Sequence, residues 1–132
     1  MLSAVPLLIV PFLLYNIGLA LSVESGSIWA EELFSMPMMS GGMWTMTLGD
    51  ALIAFALILL FIEIVKSTRT SNASVVDHLL STFVFMAYLV EFLLVSGAAH
   101  HVFFTLMVIT LVDLLAGFSV SLRSAGRDVT IG

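Results

Sequence analysis

Residues 51–62 read ALIAFALILLFI, without one charged or hydrogen-bonding side chain. The apolar stretch around them runs from Trp44 to Val65, about the ~20 residues that cross ~30 Å of hydrocarbon at 1.5 Å per residue. Lipid satisfies no backbone N–H or C=O, so a spanning segment is either a helix or a strand of a closed barrel. A barrel strand alternates polar and apolar side chains; this run does not, and a helix is predicted.

Working outward, three similar stretches occur at Leu2–Leu21, Val75–Ser96 and Val102–Leu122. The expected fold is therefore an all-α integral membrane protein. One domain over residues 1–132 would have transmembrane helices at 2–21, 44–65, 75–96 and 102–122. Composition agrees: 61% of the residues are hydrophobic and 10% charged, too apolar for a soluble core of this size. The bilayer is then the chain's first partner. The absence of cysteine excludes disulfides, thiolate metal sites and cysteine nucleophiles. Only four Lys and Arg residues are present, so no nucleic-acid partner is expected. Gly18-Leu19-Ala20 resembles a signal-peptide cleavage site, but no basic n-region precedes it, and the segment reads as a retained helix. Pro11 is expected to kink that helix and free the carbonyl of Leu7.

Charge gives the orientation. Lys66 and Arg69 lie between the second and third spans, and Arg123 and Arg127 follow the fourth. Between the first two spans stand Glu24, Glu31 and Glu32 with no basic residue. The positive-inside rule places the 66–74 loop and both termini in the cytoplasm, with a bacterial inner membrane as the expected location. The connection 22–43 is then extracytoplasmic. Ser27 can cap a short interfacial amphipathic helix over 28–36, with Trp29, Leu33 and Met36 on one face and Pro37 ending it. Ser40-Gly41-Gly42 reads as a flexible joint.

Ionisable residues inside a span cost about 2.5–3.5 kcal/mol each at mid-helix, so each needs an account. Asp77 stands three residues after Ser74 and Asp50 three after Thr47, the spacing of capping boxes. A helix starting at Trp44 would carry Asp50 deeper, so Asp50 stays among the candidate intramembrane groups. Glu63 precedes Lys66 by three residues, as in a snorkelling ion pair near the cytoplasmic face. Glu91 and Asp113 have no such account. Glu91 lies ~9 Å inside the outer boundary and Asp113 ~18 Å deep, and each is expected to carry its proton unless a partner pairs with it.

Asp77, Ser81, Val84, Tyr88, Glu91 and Val95 share one face of the third helix; Leu106, Thr110, Asp113, Gly117 and Ser121 form a stripe on the fourth. If these faces meet, Glu91, Tyr88, Asp113, Ser81 and Asp77 or His78 form a descending series of exchangeable groups bridged by water. Asn16 on the first helix could join near Glu91, and Tyr88 or Asn16 is the expected donor to Asp113. The candidate transport residues are therefore Asp113, Glu91, Tyr88, Asp50, Asn16, Ser81 and Thr110.

A soft ligand set gathers at the outer face: Met36, Met38, Met39 and Met43 with His100 and His101, a pattern suited to Cu(I). Methionine is equally good as adaptable apolar filler. No other cofactor is expected. A bis-histidine haem would need facing imidazoles, whereas the adjacent pair projects about 100° apart and His78 sits at the opposite membrane face. The Asn72-Ala73-Ser74 sequon falls in the cytoplasmic loop and is discounted. No nucleophile turn or oxyanion loop accompanies Ser96 and His100, so no enzyme and no catalytic residue is expected. Three roles remain: a proton- or cation-handling transporter or channel subunit, an accessory subunit of a larger membrane complex, and copper handling. The first implies a homo-oligomer, because four helices rarely enclose a path alone.

Overall fold

A computed structural model describes residues 6–21, 28–67 and 72–131, with side chains placed for 6–21, 28–67 and 76–120. Among these are α1 (Ile9–Leu21), a hairpin of β1 (Glu32–Pro37) and β2 (Met43–Thr47), α2 (Leu48–Lys66), α3 (Asn72–Leu94) and α4 (His101–Ile131). Three helical segments are long and apolar enough to cross a membrane: Leu48–Lys66, Val76–Leu94 and His101–Val120.

α1 is shorter than the expected 2–21 span. Its 13 residues extend roughly 20 Å by helical rise. Pro6–Leu8 form a turn before it, and residues 1–5 lie outside the described set. The expected proline kink is also corrected. Pro11 falls in the first helical turn, where an N–H has no intrahelical partner to lose, and the carbonyl of Leu7 accepts from Val10 N at 3.0 Å.

The interfacial helix expected over 28–36 is not formed. Ile28–Ala30 make one 3₁₀ turn, and the chain then enters an antiparallel hairpin pairing Ser35 with Thr45 and Met36 with Trp44. Three features outweigh the helical spacing of Trp29, Leu33 and Met36. A nine-residue helix is too short to hold itself together. The partner segment Met-Trp-Thr-Met-Thr at 43–47 is rich in strand formers. Gly41 takes a φ of 90°, closing the turn that had read as a joint, and Met38 N donates to Gly42 O at 2.7 Å. The second span consequently begins at Leu48 instead of Trp44.

At that start the capping box is present in full: Asp50 N donates to Thr47 Oγ1 and Thr47 N to Asp50 Oδ2, each at 3.1 Å. Asp50 is thus a cap and leaves the list of deep acids. Thr47→Ala should cost about 1 kcal/mol of helix stability, measurable as a lower unfolding midpoint in detergent.

α4 packs against both α2 and α3. Phe103 is its hub, with ring centroids 4.9 Å from Tyr15, 5.3 Å from Tyr88 and 6.4 Å from Phe12 and Phe92. α1 lays Pro11, Tyr15 and Gly18 on this core, with Leu8 of the preceding turn. Gly18 is required there, because a β-carbon would run into the indole of Trp29, which stacks on Tyr15. The outward side chains remain apolar and exposed, among them Ile58, Phe61, Phe83 and Leu93. Lipid is the solvent that suits such faces. In lipid, burying apolar area contributes little to association, so close packing and interhelical hydrogen bonds must hold the helices together. Two such bonds fasten α1: Tyr15 OH to Gly97 O at 2.9 Å and Tyr88 OH to Leu8 O at 3.0 Å.

Candidate functional site

One end of the helix bundle carries a buried polar cluster. Glu63 is the fourth member of a stripe on α2, after Leu52, Ala56 and Leu59, that the helix period turns into the core. It is 1% exposed, and its Oε1 accepts from Leu7 N at 2.8 Å and from Lys66 Nζ at 3.0 Å. Lys66 also stands 3.5 Å from Asp77 Oδ1. Asp77 and Asp113 are each 6% exposed. Ser81, one turn along α3 from Asp77, is a polar neighbour of the Asp113 carboxyl on the cavity wall. Glu63, Ser67, Asp77, Ser81, Asp113 and Gly117 line a cavity of about 10 Å³, with His78 on the same wall. That volume is close to the least that admits one water. His78 stacks on Phe118, and Gly117 makes room for it: a β-carbon at 117 would lie 3.2 Å from His78 Nδ1.

The helix faces deduced for α3 and α4 agree with this burial except at the outer end of α3, where Glu91 is half-buried and Val95 is exposed beyond the helix; Ser121's side chain lies outside the described residues. Asp77, Ser81, Val84 and Tyr88 are buried on α3, as are Leu106, Thr110, Asp113 and Gly117 on α4. Three details are corrected. Asp77 is not a cap, because α3 already begins at Asn72 and has no acid in its first turn. Ser74's side chain lies outside the described residues. The Glu63–Lys66 pair exists but does not snorkel; both side chains are turned inward, and Lys66 also reaches Asp77. Asp113, finally, is held by neither Tyr88 nor Asn16, since Tyr88 donates to Leu8 and Asn16 faces Glu91.

The upper group is separate. Glu91 lies near Asn16, in the same electrostatic neighbourhood as Tyr15 and Tyr88. The amide of Asn16 also donates to Phe12 O at 2.8 Å. Glu91 Oε2 is buried with no hydrogen-bond partner among the described residues. Between the groups, Val84 on α3 and Leu106 and Ile109 on α4 are buried apolar side chains. The expected descending series is interrupted there. Thr110 does not bridge the gap, because its hydroxyl donates to Met107 O at 2.6 Å within α4.

The methionine and histidine candidates lie on two elements, the hairpin and the start of α4. Met36, Met38, Met39 and Met43 are exposed along the hairpin. His100 and His101 lie at the start of α4 with rings 4.4 Å apart. His100 Nδ1 accepts from Val102 N at 3.2 Å, and burial, followed by the neighbouring His101, holds its imidazole below the usual histidine range. Among the described residues no group of three His, Asp or Glu side chains could hold a metal ion. No protein-family model matches the chain, and comparison with curated proteins and with solved structures finds no match.

Proposed function

We propose that the chain is a proton- or cation-handling subunit of a bacterial cytoplasmic membrane, working from the Glu63–Lys66–Asp77–Asp113 cluster. One observation carries this reading: the Lys66 ammonium pairs with buried Glu63 and Asp77, and a third buried carboxyl, Asp113, lines the same water-sized cavity as those two. Among the described residues, full ionisation would leave carboxylates in excess of the one ammonium in a buried site, so the cluster has capacity for a proton or cation. The test is flux through the purified protein in liposomes under an imposed pH or cation gradient.

The orientation follows from Lys66, Arg69, Arg123 and Arg127, which put the cluster at the cytoplasmic end of four spans. The bond from Leu7 N to Glu63 supports a cytoplasmic start for α1, and the bond from Tyr15 to Gly97 supports an outer end. A single cysteine at position 100 should react with an impermeant reagent from outside, and one at position 69 only after lysis. The opposite pattern would invert the site.

A second reading, an accessory subunit of a larger membrane complex, is favoured by the apolar layer at Val84, Leu106 and Ile109. One chain with that layer offers no continuous polar route, so transport calls for a homo-oligomer or a rearranged state. Purification in mild detergent separates the readings: a homo-oligomer supports transport, whereas a reproducible larger partner supports the accessory role.

A further inference from the structure

The cluster's geometry goes further than "proton or cation". Asp77 lines the cavity, and its buried Oδ1 has no hydrogen bond among the described residues; it meets the Lys66 ammonium as an ion pair at 3.5 Å. A buried acceptor in that state is costly unless something bonds to it. The cavity it lines has about 10 Å³, room for one water and little else. Asp113, with its Ser81 neighbour, forms another part of the same wall.

A metal cation suits this space poorly. Sodium and the divalent ions need several oxygens converging on one point. No such set of three His, Asp or Glu side chains exists among the described residues. The Lys66 ammonium already lies 3.0 Å from Glu63 and 3.5 Å from Asp77, where a second cation would be repelled. Among the described residues Lys66 is the cation of this site, tethered to the chain.

We propose that one water bridges Asp77 Oδ1 and Asp113, and that the ligand bound here is a proton shared between these carboxyls, with Lys66 as the fixed counter-charge. The inference rests on the transport reading and names the ion. In the transfer, the O–H bond of protonated Asp113 breaks as its proton moves to the water. The water gives a different proton to Asp77 Oδ1, forming that O–H bond, and is itself regenerated. No net charge leaves the pair. Among the described residues the titratable groups facing it are Glu63 and Lys66 from α2 and His78 from α3; ahead of α1, Leu7 N is bonded to Glu63.

Infrared difference spectroscopy on the full chain in phosphatidylcholine liposomes tests this, comparing spectra across pH in choline, sodium and potassium chloride. The expected result is a protonated-carboxyl band that shifts in D₂O, disappears in Asp113→Asn and titrates identically in all three salts. Ser81→Ala should retain the band at a shifted frequency, which guards against loss through misfolding. A titration displaced by sodium or potassium would overturn the proton assignment while leaving cation transport standing. Absence of a titrating carboxyl band from wild type would overturn it as well. Flux measured in the same liposomes judges the transport reading separately: if the band behaves as expected and no ion crosses, that reading fails and the proton site remains.

Discussion

Asp113→Asn should assemble like the wild type and lose proton or cation flux in liposomes. Asparagine keeps the shape of the side chain and much of its hydrogen bonding, but it cannot give up or take a proton. A loss of one order of magnitude or more is expected, about 1.4 kcal/mol or more on the limiting step. Glu91→Gln should impair flux less, because Glu91 belongs to the upper group with Asn16 and is partly exposed. If Asp113 only braces the helices, Asp113→Asn will be silent. Asp113→Leu, which removes the polar group beside Ser81, would then weaken packing by ~1–2 kcal/mol. Oligomer size in detergent and flux from the same preparation give both answers.

The second large effect concerns Lys66. Lys66→Met removes the ammonium from between Glu63 and Asp77, leaving two buried carboxylates without their cation. Removing one partner of a buried pair costs about 3–5 kcal/mol; Lys66 is 10% exposed, which argues for the lower end, about 3 kcal/mol. Protonating the stranded carboxylates removes the penalty, so the deficit should shrink as pH is lowered. Adding Glu63→Gln should recover much of the loss, since a glutamine carbonyl can still accept from Leu7 N. The checking measurement is unfolding in mixed micelles as a double-mutant cycle at two pH values. A Lys66→Met protein as stable as wild type would mean a solvated surface pair worth about 0–1 kcal/mol, and the cluster would lose its anchor.

The parts of this fold legible in the sequence were those set by long-range averages. An apolar run such as 51–62 has few alternatives in lipid, and α2, α3 and the apolar part of α4 fall close to their expected positions. The capping box at Thr47 was legible for a local reason, since both partners lie within one turn. The 28–47 region was misread because helical spacing was judged in one segment alone, whereas a hairpin depends on a second segment and on the backbone freedom of Gly41. The site was half legible. Depth and face singled out Asp113 and Ser81, but Glu63, Lys66 and Asp77 each had an adequate local explanation that hid their convergence. A clue was available in the 4,3,4 spacing of Leu52, Ala56, Leu59 and Glu63, which turns that acid inward. The apolar layer could not be foreseen from stripes on single helices, because it depends on the axial register of α3 against α4.

The central claim is that the cluster around Lys66 holds an exchangeable proton in which Asp113 takes part. Its most direct test is to count protons, titrating purified wild type and Asp113→Asn in the same detergent against a buffer blank. The account predicts that the variant releases fewer protons, by about one per chain, over the acid-to-neutral range. Identical titration curves from two equally folded preparations would contradict it.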